Sequence, residues 1–290
     1  MTVIDAHVHL YPAELNRDPA GWGRQAGEAH WARLCTRFRR GRPVQGFPST
    51  DQLLQEMDAV GIERAVLIGW YWEKPETCAW QNRFYAACIR EHPDRFSAFA
   101  ALHPAAGREE VRRAHGDGFI GLGECSPHSQ GYAMDDPAFA EILALAAELH
   151  LPVNLHVTDP AGKNYPGRIE TPLADFISVA RTFPRTTFVL AHWGGLLPIA
   201  NPSAASLPNL YYDTAASPRL YEPEVFSRMV KAVGASRVLF GSDYPLILFP
   251  DETQPGMARF LSQIAETSLT GAERAALLGG NAAALLGLGA

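Results

Sequence analysis

Asp5, His7 and His9 occupy alternate positions of IDAHVHL, residues 4–10, among apolar neighbours. Side chains alternate across a β-strand, so these three point one way while Ala6 and Val8 point the other. Two imidazoles two residues apart on a strand can grip one divalent ion, because metal–imidazole bonds of about 2.0–2.1 Å oblige both rings to converge on a single point. Asp5 would then orient a ligand imidazole rather than bind the ion itself. A lone strand histidine is ordinarily a core residue with a hydrogen-bonded partner. The spacing of this pair is what raises it above that reading.

Four more groups of the same chemical kind end other short apolar runs. Glu124 closes FIGLGEC, His156 closes PVNLHV, His192 lies in TFVLAHWG and Asp243 closes RVLFGSD. These residue types accept Zn²⁺, Mn²⁺ or Fe²⁺. Glu124 alone is open to three readings: a metal ligand, a general acid or base, or a buried ion-pair partner.

The elements that must position them follow from periodicity. Eight short, mostly apolar runs, at 3–10, 64–70, 96–102, 119–125, 152–157, 187–194, 210–215 and 237–243, read as strands buried on both faces. Helical patterns alternate with them. Residues 51–61 carry Leu53, Leu54, Met57 and Val60 on one face, with Gly61 as the C-cap. Residues 135–150 have Asp136 as N-cap and Pro137 at the first helical position, and residues 171–183 repeat that grammar with Thr171 and Pro172. Residues 222–234 and 271–288 read as helices as well, whereas 107–116 and 196–208 are weak ones. Eight strands alternating with helices predict an α/β protein built as one (β/α)8 TIM barrel over 1–290. No glycine-rich phosphate loop follows the first strand, which argues against an open dinucleotide-binding sheet.

Residues 11–48 fall outside the repeat. They form a long insertion after strand 1, rich in Trp, Arg, Gly and Pro, and emerge at the C-terminal face where barrel active sites sit. This insertion reads as a lid. Its arginines, Arg33, Arg37, Arg39, Arg40 and Arg42, are either a solvated basic face or a partner for a carboxylate substrate. The net charge of −6 and pI near 5.9 weigh against nucleic acid as a partner. No run reaches the roughly 18 apolar residues of a membrane span. Cys35, Cys78, Cys88 and Cys125 form no CxxC pair and read as reduced thiols. With no signal-like segment ahead of the first strand, the expected location is cytoplasmic.

DAHVHL, GLGEC, NLHV, LAHWGG and LFGSDYP, in this order, resemble the amidohydrolase superfamily, and within it the amidohydrolase-2 group. That group contains aminocarboxymuconate-semialdehyde decarboxylase, aromatic-acid decarboxylases and lactonases. EMDAVGIERAVLIG and the closing LLGGNAAALLGL fit it too, so the resemblance runs from residue 4 to 288. It implies metal ligation by His7, His9, His156 and Asp243, with His192 as an acid/base beside the metal or, as in two-metal members of the wider superfamily, a further ligand. Glu124 departs from the simplest one-metal pattern and resembles branches in which a fourth-strand carboxylate bridges two ions. One or two divalent ions, zinc first, are therefore expected, and group habit suggests a homodimer.

The leading expectation is a metal-dependent hydrolase. An activated water would cleave an ester, lactone or amide-like bond of a small molecule, with Asp243 and His192 handling protons. The alternative is non-oxidative decarboxylation of an unsaturated or aromatic acid. Trp70, Trp72, His103, His128 and Tyr132 follow strands 2 to 4 directly and are the expected substrate contacts. Tyr11, Trp22, Trp31, Tyr71, Trp193 and Tyr244 are further candidates, about half of them as packing residues. His30, His92, His115 and His150 are expected at the surface.

Overall fold

The structure is a computed structural model and describes residues 2–248 and 250–288. Eight parallel strands follow one another around the sheet in chain order: β1 (Ile4–Val8), β2 (Arg64–Ile68), β3 (Phe96–Ala100), β4 (Gly121–Cys125), β5 (Val153–Leu155), β6 (Phe188–Leu190), β7 (Leu210–Asp213) and β8 (Val238–Leu239). The chain just beyond β8 closes the ring onto β1. The Ala6 amide donates to the Phe240 carbonyl at 2.8 Å, Asp243 to His7 at 2.9 Å and His9 to Tyr244 at 2.7 Å.

Alternation divides most strands between two environments, with register shifts in β1 between Asp5 and Val8 and in β4 between Leu122 and Cys125. Val66 and Ile68 of β2, Phe99 of β3 and Val189 of β6 share one apolar cluster. Strands on opposite sides of a ring touch only through its interior, so this cluster is the barrel's filling. Ala65, Leu67, Ala98, Leu122 and Leu155 belong instead to the cluster shared with the surrounding helices. Asp5, His7 and His9 are all buried.

The main outer helices are α1 (Thr50–Val60), α2 (Pro75–Glu91), α3 (Gly107–Gly116), α4 (Pro137–Glu148), α5 (Leu173–Thr182) and α6 (Glu224–Val233). Gly61 caps α1 in the left-handed conformation, and the Asp136 carboxylate accepts the Ala138 and Phe139 amides at the start of α4. Thr171 does not cap α5. Its hydroxyl accepts the Thr158 amide at 2.9 Å, leaving Pro172 at the N-cap. Residues 107–116 form a full helix, while 196–208 break into two short ones, Leu197–Ala200 and Pro202–Ala205.

The insertion is more ordered than its composition predicts. It forms three short helices (Ala13–Arg17, Pro19–Ala26, Ala29–Cys35) and a two-stranded hairpin, Phe38–Arg39 against Arg42–Pro43. Tyr11, Trp22, Trp31, Trp70, Trp72 and Trp80 pack edge to face, tilted or stacked beneath it. Its backbone is stitched to the loop after β8, with Ile247 donating to Val44 and Gly46 to Pro245. Toward the loop after β5, a His30 ring nitrogen meets the Gly167 carbonyl at 2.9 Å. His30 is thus buried rather than a surface residue.

Candidate metal centre at the barrel mouth

His7 and His9 aim their Nε2 atoms at one another, 3.2 Å apart. Asp243 Oδ1 lies 3.9 Å from the first and 3.5 Å from the second, and Glu124 Oε2 stands 3.8 Å from His9. On its other side Glu124 Oε1 meets His156 Nδ1 at 2.8 Å and His192 Nε2 at 3.7 Å. Two potential ligand groups result, His7–His9–Asp243 and Glu124–His156–His192, with Glu124 reaching toward both.

The outer ring nitrogens fix which inner atoms are lone pairs. A carbonyl only accepts, so His9 donates from Nδ1 to Ile68 at 2.9 Å and His192 from Nδ1 to Ala215 at 3.1 Å. His7 Nδ1 pairs with the Asp213 carboxylate at 2.9 Å. In the neutral rings each Nε2 is therefore an unprotonated acceptor. Acceptors facing acceptors in a buried space repel unless a cation lies among them. Ligand atoms bound about 2.1 Å from one tetrahedral ion are roughly 3–3.5 Å apart, and His9 Nε2 stands at 3.2 Å from His7 Nε2 and 3.5 Å from Asp243 Oδ1. The donor set, imidazole nitrogens with carboxylate oxygens, suits a divalent transition metal.

Without an ion, a proton on His7 takes its place. Burial opposes charge on His7, yet the Asp213, Glu124 and Asp243 carboxylates hold it up, to about 10. His9, buried beside it, is pushed down to about 3 by burial and by His7. Burial and His156 press His192 down to about 4. Burial would raise Glu124, but His156, His7 and His192 keep it well below the carboxylate range. Asp243 is driven up to about 7, first by burial and then by Glu124 and Asp213, against the pull of His7.

Backbone geometry places these groups. Gly123 has φ +108°, and a Cβ there would lie 2.3 Å from the Asn154 carbonyl oxygen, so glycine lets β4 press against β5 and present Glu124. A Cβ on Gly241 would lie 2.7 Å from that of His7. After β6 the chain runs left-handed from His192 to Leu196, and Asp243 is left-handed too. Such conformations in non-glycine residues cost of order 1–3 kcal/mol each and gather at functional sites.

Asp213, at the end of β7, was not singled out from sequence. It is fully buried, and one oxygen takes His7 Nδ1 and the Asn154 amide while the other accepts the His192 and Ala215 backbone amides. Its position at a strand end was the available signal. Asp5, expected to orient an imidazole, does not. Its Oδ1 accepts the His7 and Ser242 backbone amides and ties β1 to the turn after β8.

Of the expected substrate contacts, Trp70 lines the mouth, its ring 5.3 Å from that of His9. Tyr71 joins it. Trp72 is turned into the aromatic cluster, donating from Nε1 to Gln81 at 2.7 Å. The segment after Glu124 coils into a short helix, Pro127–Gln130, and carries His128 outward to Asp175 on α5. Tyr132 donates to Gln130 and packs on Phe139 and His103, and His103 caps the turn at Pro104 by accepting the Ala105 amide. The structure therefore does not bring Trp72, His103, His128 or Tyr132 to the mouth. Nor does Trp193 reach it, being buried against Phe226. Arg219, Tyr165 and Thr158 do line it and carried no sequence signal beyond lying after strands.

The chain is a (β/α)8 barrel that gathers potential metal ligands at the ends of its strands. Residues 4–288 match the family described as Amidohydrolase, and the chain belongs to that family. It is 25% identical to 2-amino-3-carboxymuconate-6-semialdehyde decarboxylase of Dictyostelium discoideum, over 98% of this chain and 91% of the relative. Among solved structures it is similar to 5-carboxyvanillate decarboxylase of Sphingomonas paucimobilis (TM-score 0.74, 19% identity, 99% of each chain covered). It is also similar to the 5-carboxyvanillate decarboxylase of Novosphingobium aromaticivorans, complexed with manganese (TM-score 0.73, 16% identity, 99% of this chain and 96% of that one). Among the described residues no helix is long and apolar enough to cross a membrane.

Proposed function

We propose that the protein is a metal-dependent, non-oxidative decarboxylase of an aromatic or unsaturated carboxylic acid. This reverses the order of the two readings made from sequence, in which hydrolysis stood first. One observation carries it: a buried set of imidazole and carboxylate acceptors opens beside Trp70 and Tyr71, in a chain whose full-length relative is a decarboxylase. The aromatic wall suits a planar acid.

His7, His9 and Asp243 would hold the ion, with Glu124, His156 and His192 around it or around a second one. Manganese, present in a similar structure, now stands ahead of zinc. When bound, a divalent ion polarises substrate oxygens and neutralises their charge. Asp213 and the Ile68 carbonyl fix the two β1 imidazoles. Trp70 and Tyr71 orient the ring. The carbon–carbon bond to the carboxylate breaks, CO₂ leaves, and the vacated carbon takes up a proton. Asp243, which reaches the cavity, is the carboxylate placed to pass that proton to the carbon and to regain one from water.

The test is a panel of hydroxybenzoates, hydroxyisophthalates and muconate-type acids with manganese-loaded protein in D₂O. Stoichiometric CO₂, with one deuteron at the vacated carbon, is the expected result. Acid release from esters or lactones without CO₂ from any acid would restore the hydrolase reading.

A further inference from the structure

The cavity over the metal centre is small, about 130 Å³, and an outer vestibule of about 550 Å³ lies next to it. Asp159, Gly162 and Tyr165, all in the loop after β5, line both spaces, so this loop stands between the metal centre and solvent. An apolar cavity of about 150 Å³ takes up benzene and little more. A ring that also carries a carboxylate needs more room than the inner cavity offers.

The rim of the mouth is held unevenly. On one side the loop after β8 buries Tyr244, Ile247 and Leu248 and is stitched to the insertion backbone to backbone. On the other side, none of residues 159–170 is buried. Among the described residues their only backbone–backbone hydrogen bonds stay inside the loop, Gly162 to Asp159 and Arg168 to Tyr165. The two ends of the loop are pinned to each other, where the hydroxyl of buried Thr171 accepts the amide of buried Thr158 at 2.9 Å. A short segment with joined ends and no core of its own can move as one body at low cost.

A few contacts hold it down, most of them with the insertion. His30 Nε2 meets the Gly167 carbonyl at 2.9 Å, and a carbonyl only accepts, so Nε2 carries the proton. His30 itself is fixed, being buried, with its backbone amide donating to Glu73 at 2.7 Å. Arg37 donates to the Pro166 carbonyl at 3.1 Å and lies 4.3 Å over the Tyr165 ring. Gly167, at φ +83°, sits so close on Leu34 that a Cβ there would stand 3.1 Å from the Leu34 Cα. At the stem, Pro160 lies beside Gly195 and Asp159 faces the Tyr221 phenol.

We propose that residues 159–170 are a hinged lid over the metal centre, latched shut by His30 on Gly167, which opens to pass substrate and product while the insertion serves as its fixed frame. The lid rests on the decarboxylase reading only for the size of the substrate. The uneven attachment of the rim is independent of it.

The experiment is limited trypsin digestion of manganese-loaded protein, with cut sites assigned by mass spectrometry, beside the rate at which EDTA strips the manganese, for wild type, His30→Leu and Gly167→Ala. Lys163 and Arg168 supply cut sites inside the lid. Cleavage of a folded protein follows the population of its opened form. Wild type should therefore be cut after Lys163 or Arg168 while the barrel stays folded. His30→Leu should speed both that cut and the loss of manganese about 2- to 10-fold, the weight of one hydrogen bond. Gly167→Ala should do the same, because its Cβ pushes the lid off Leu34. No cut inside 159–170, or unchanged rates in both variants, would overturn the lid. So would a faster cut with manganese loss unchanged, which would show a loop that moves without covering the site. Should His30→Leu fail to fold, Gly167→Ala and the wild-type cut site decide. No readout needs turnover. CO₂ release with unchanged rates would sink the lid and keep the decarboxylase reading, and faster rates with no CO₂ from any acid would do the reverse.

Discussion

Two histidine–carboxylate pairs in this molecule share the same separation. His7 Nδ1 meets Asp213 at 2.9 Å, and His128 Nε2 meets Asp175 at 2.9 Å. The first pair is fully buried, with side-chain exposures of 0% and 0%, while the second is open, at 19% and 37%. Behind His7 lie a second imidazole and two carboxylates. Around the outer pair lie Met134, Asp135, Val179 and Phe183, with no second imidazole among them. Distance alone does not make a functional pair. Low dielectric, and what the second ring nitrogen faces, decide whether the carboxylate tunes a ligand or decorates a surface.

The largest contrast should come from Asp243 and Asp213. Asp243→Asn removes a ligand oxygen and the proton carrier, so turnover should fall by about 10²–10⁴-fold with the circular dichroism spectrum unchanged. Near-normal activity would end the mechanism. Asp213→Asn should lower metal affinity or activity by about 10- to 100-fold, read by elemental analysis after dialysis, because the His7 tautomer is no longer imposed. The same measurement on His128→Ala should show full metal content.

A pH series on metal-free protein sharpens the comparison further. His7 is raised above the ordinary histidine value to about 10, so its contribution to stability is complete below about 6.5 and is lost as pH rises through 10. Asp243 is raised above the ordinary carboxylate value to about 7, so its contribution is complete below about 3.9 and is lost as pH rises to 7, ahead of most of the His7 range. Between pH 7 and 10 the melting temperature of the metal-free protein should therefore fall, and by less in Asp213→Asn. A flat profile in the wild type would show that the carboxylates do not hold a proton on His7.

The smallest effects separate Trp70 from Trp72. Trp72→Phe removes the bond to Gln81 and should cost about 1–3 kcal/mol of stability with KM unchanged. Trp70→Phe should raise KM with little change in stability. His128→Ala should shift stability by no more than about 1 kcal/mol, measured by denaturant titration.

The sequence made most of the barrel legible. Eight apolar runs of the right length became eight parallel strands in chain order, because buried parallel strands need unbroken apolar character and nothing finer. Asp136 and Gly61 announced their helix ends because capping is local chemistry. Thr171 misled because its hydroxyl found a nonlocal amide, at Thr158, and that competition is invisible in a window of residues. The insertion read as a loop because its short helices are held by tryptophan packing and by backbone bonds to distant loops, not by periodicity.

Sequence by itself determined which side chains could ligate a divalent ion. His7, His9, Glu124, His156, His192 and Asp243 could be read at strand ends because strand alternation and barrel polarity are rules of period two and of chain direction. What only tertiary structure decided is which side chains share a space. Adjacency to Glu124 pointed to His128 and Tyr132, yet one turn of helix at Pro127 carries them away from the mouth. Arg37 and Arg219 are 182 residues apart in the chain and line the same cavity. Asp213 reaches His7 across the closed ring, with β8 between β7 and β1. Closing a barrel brings chain-distant strand ends to one point, and that juxtaposition depends on the ring as a whole, which no local stretch of residues encodes.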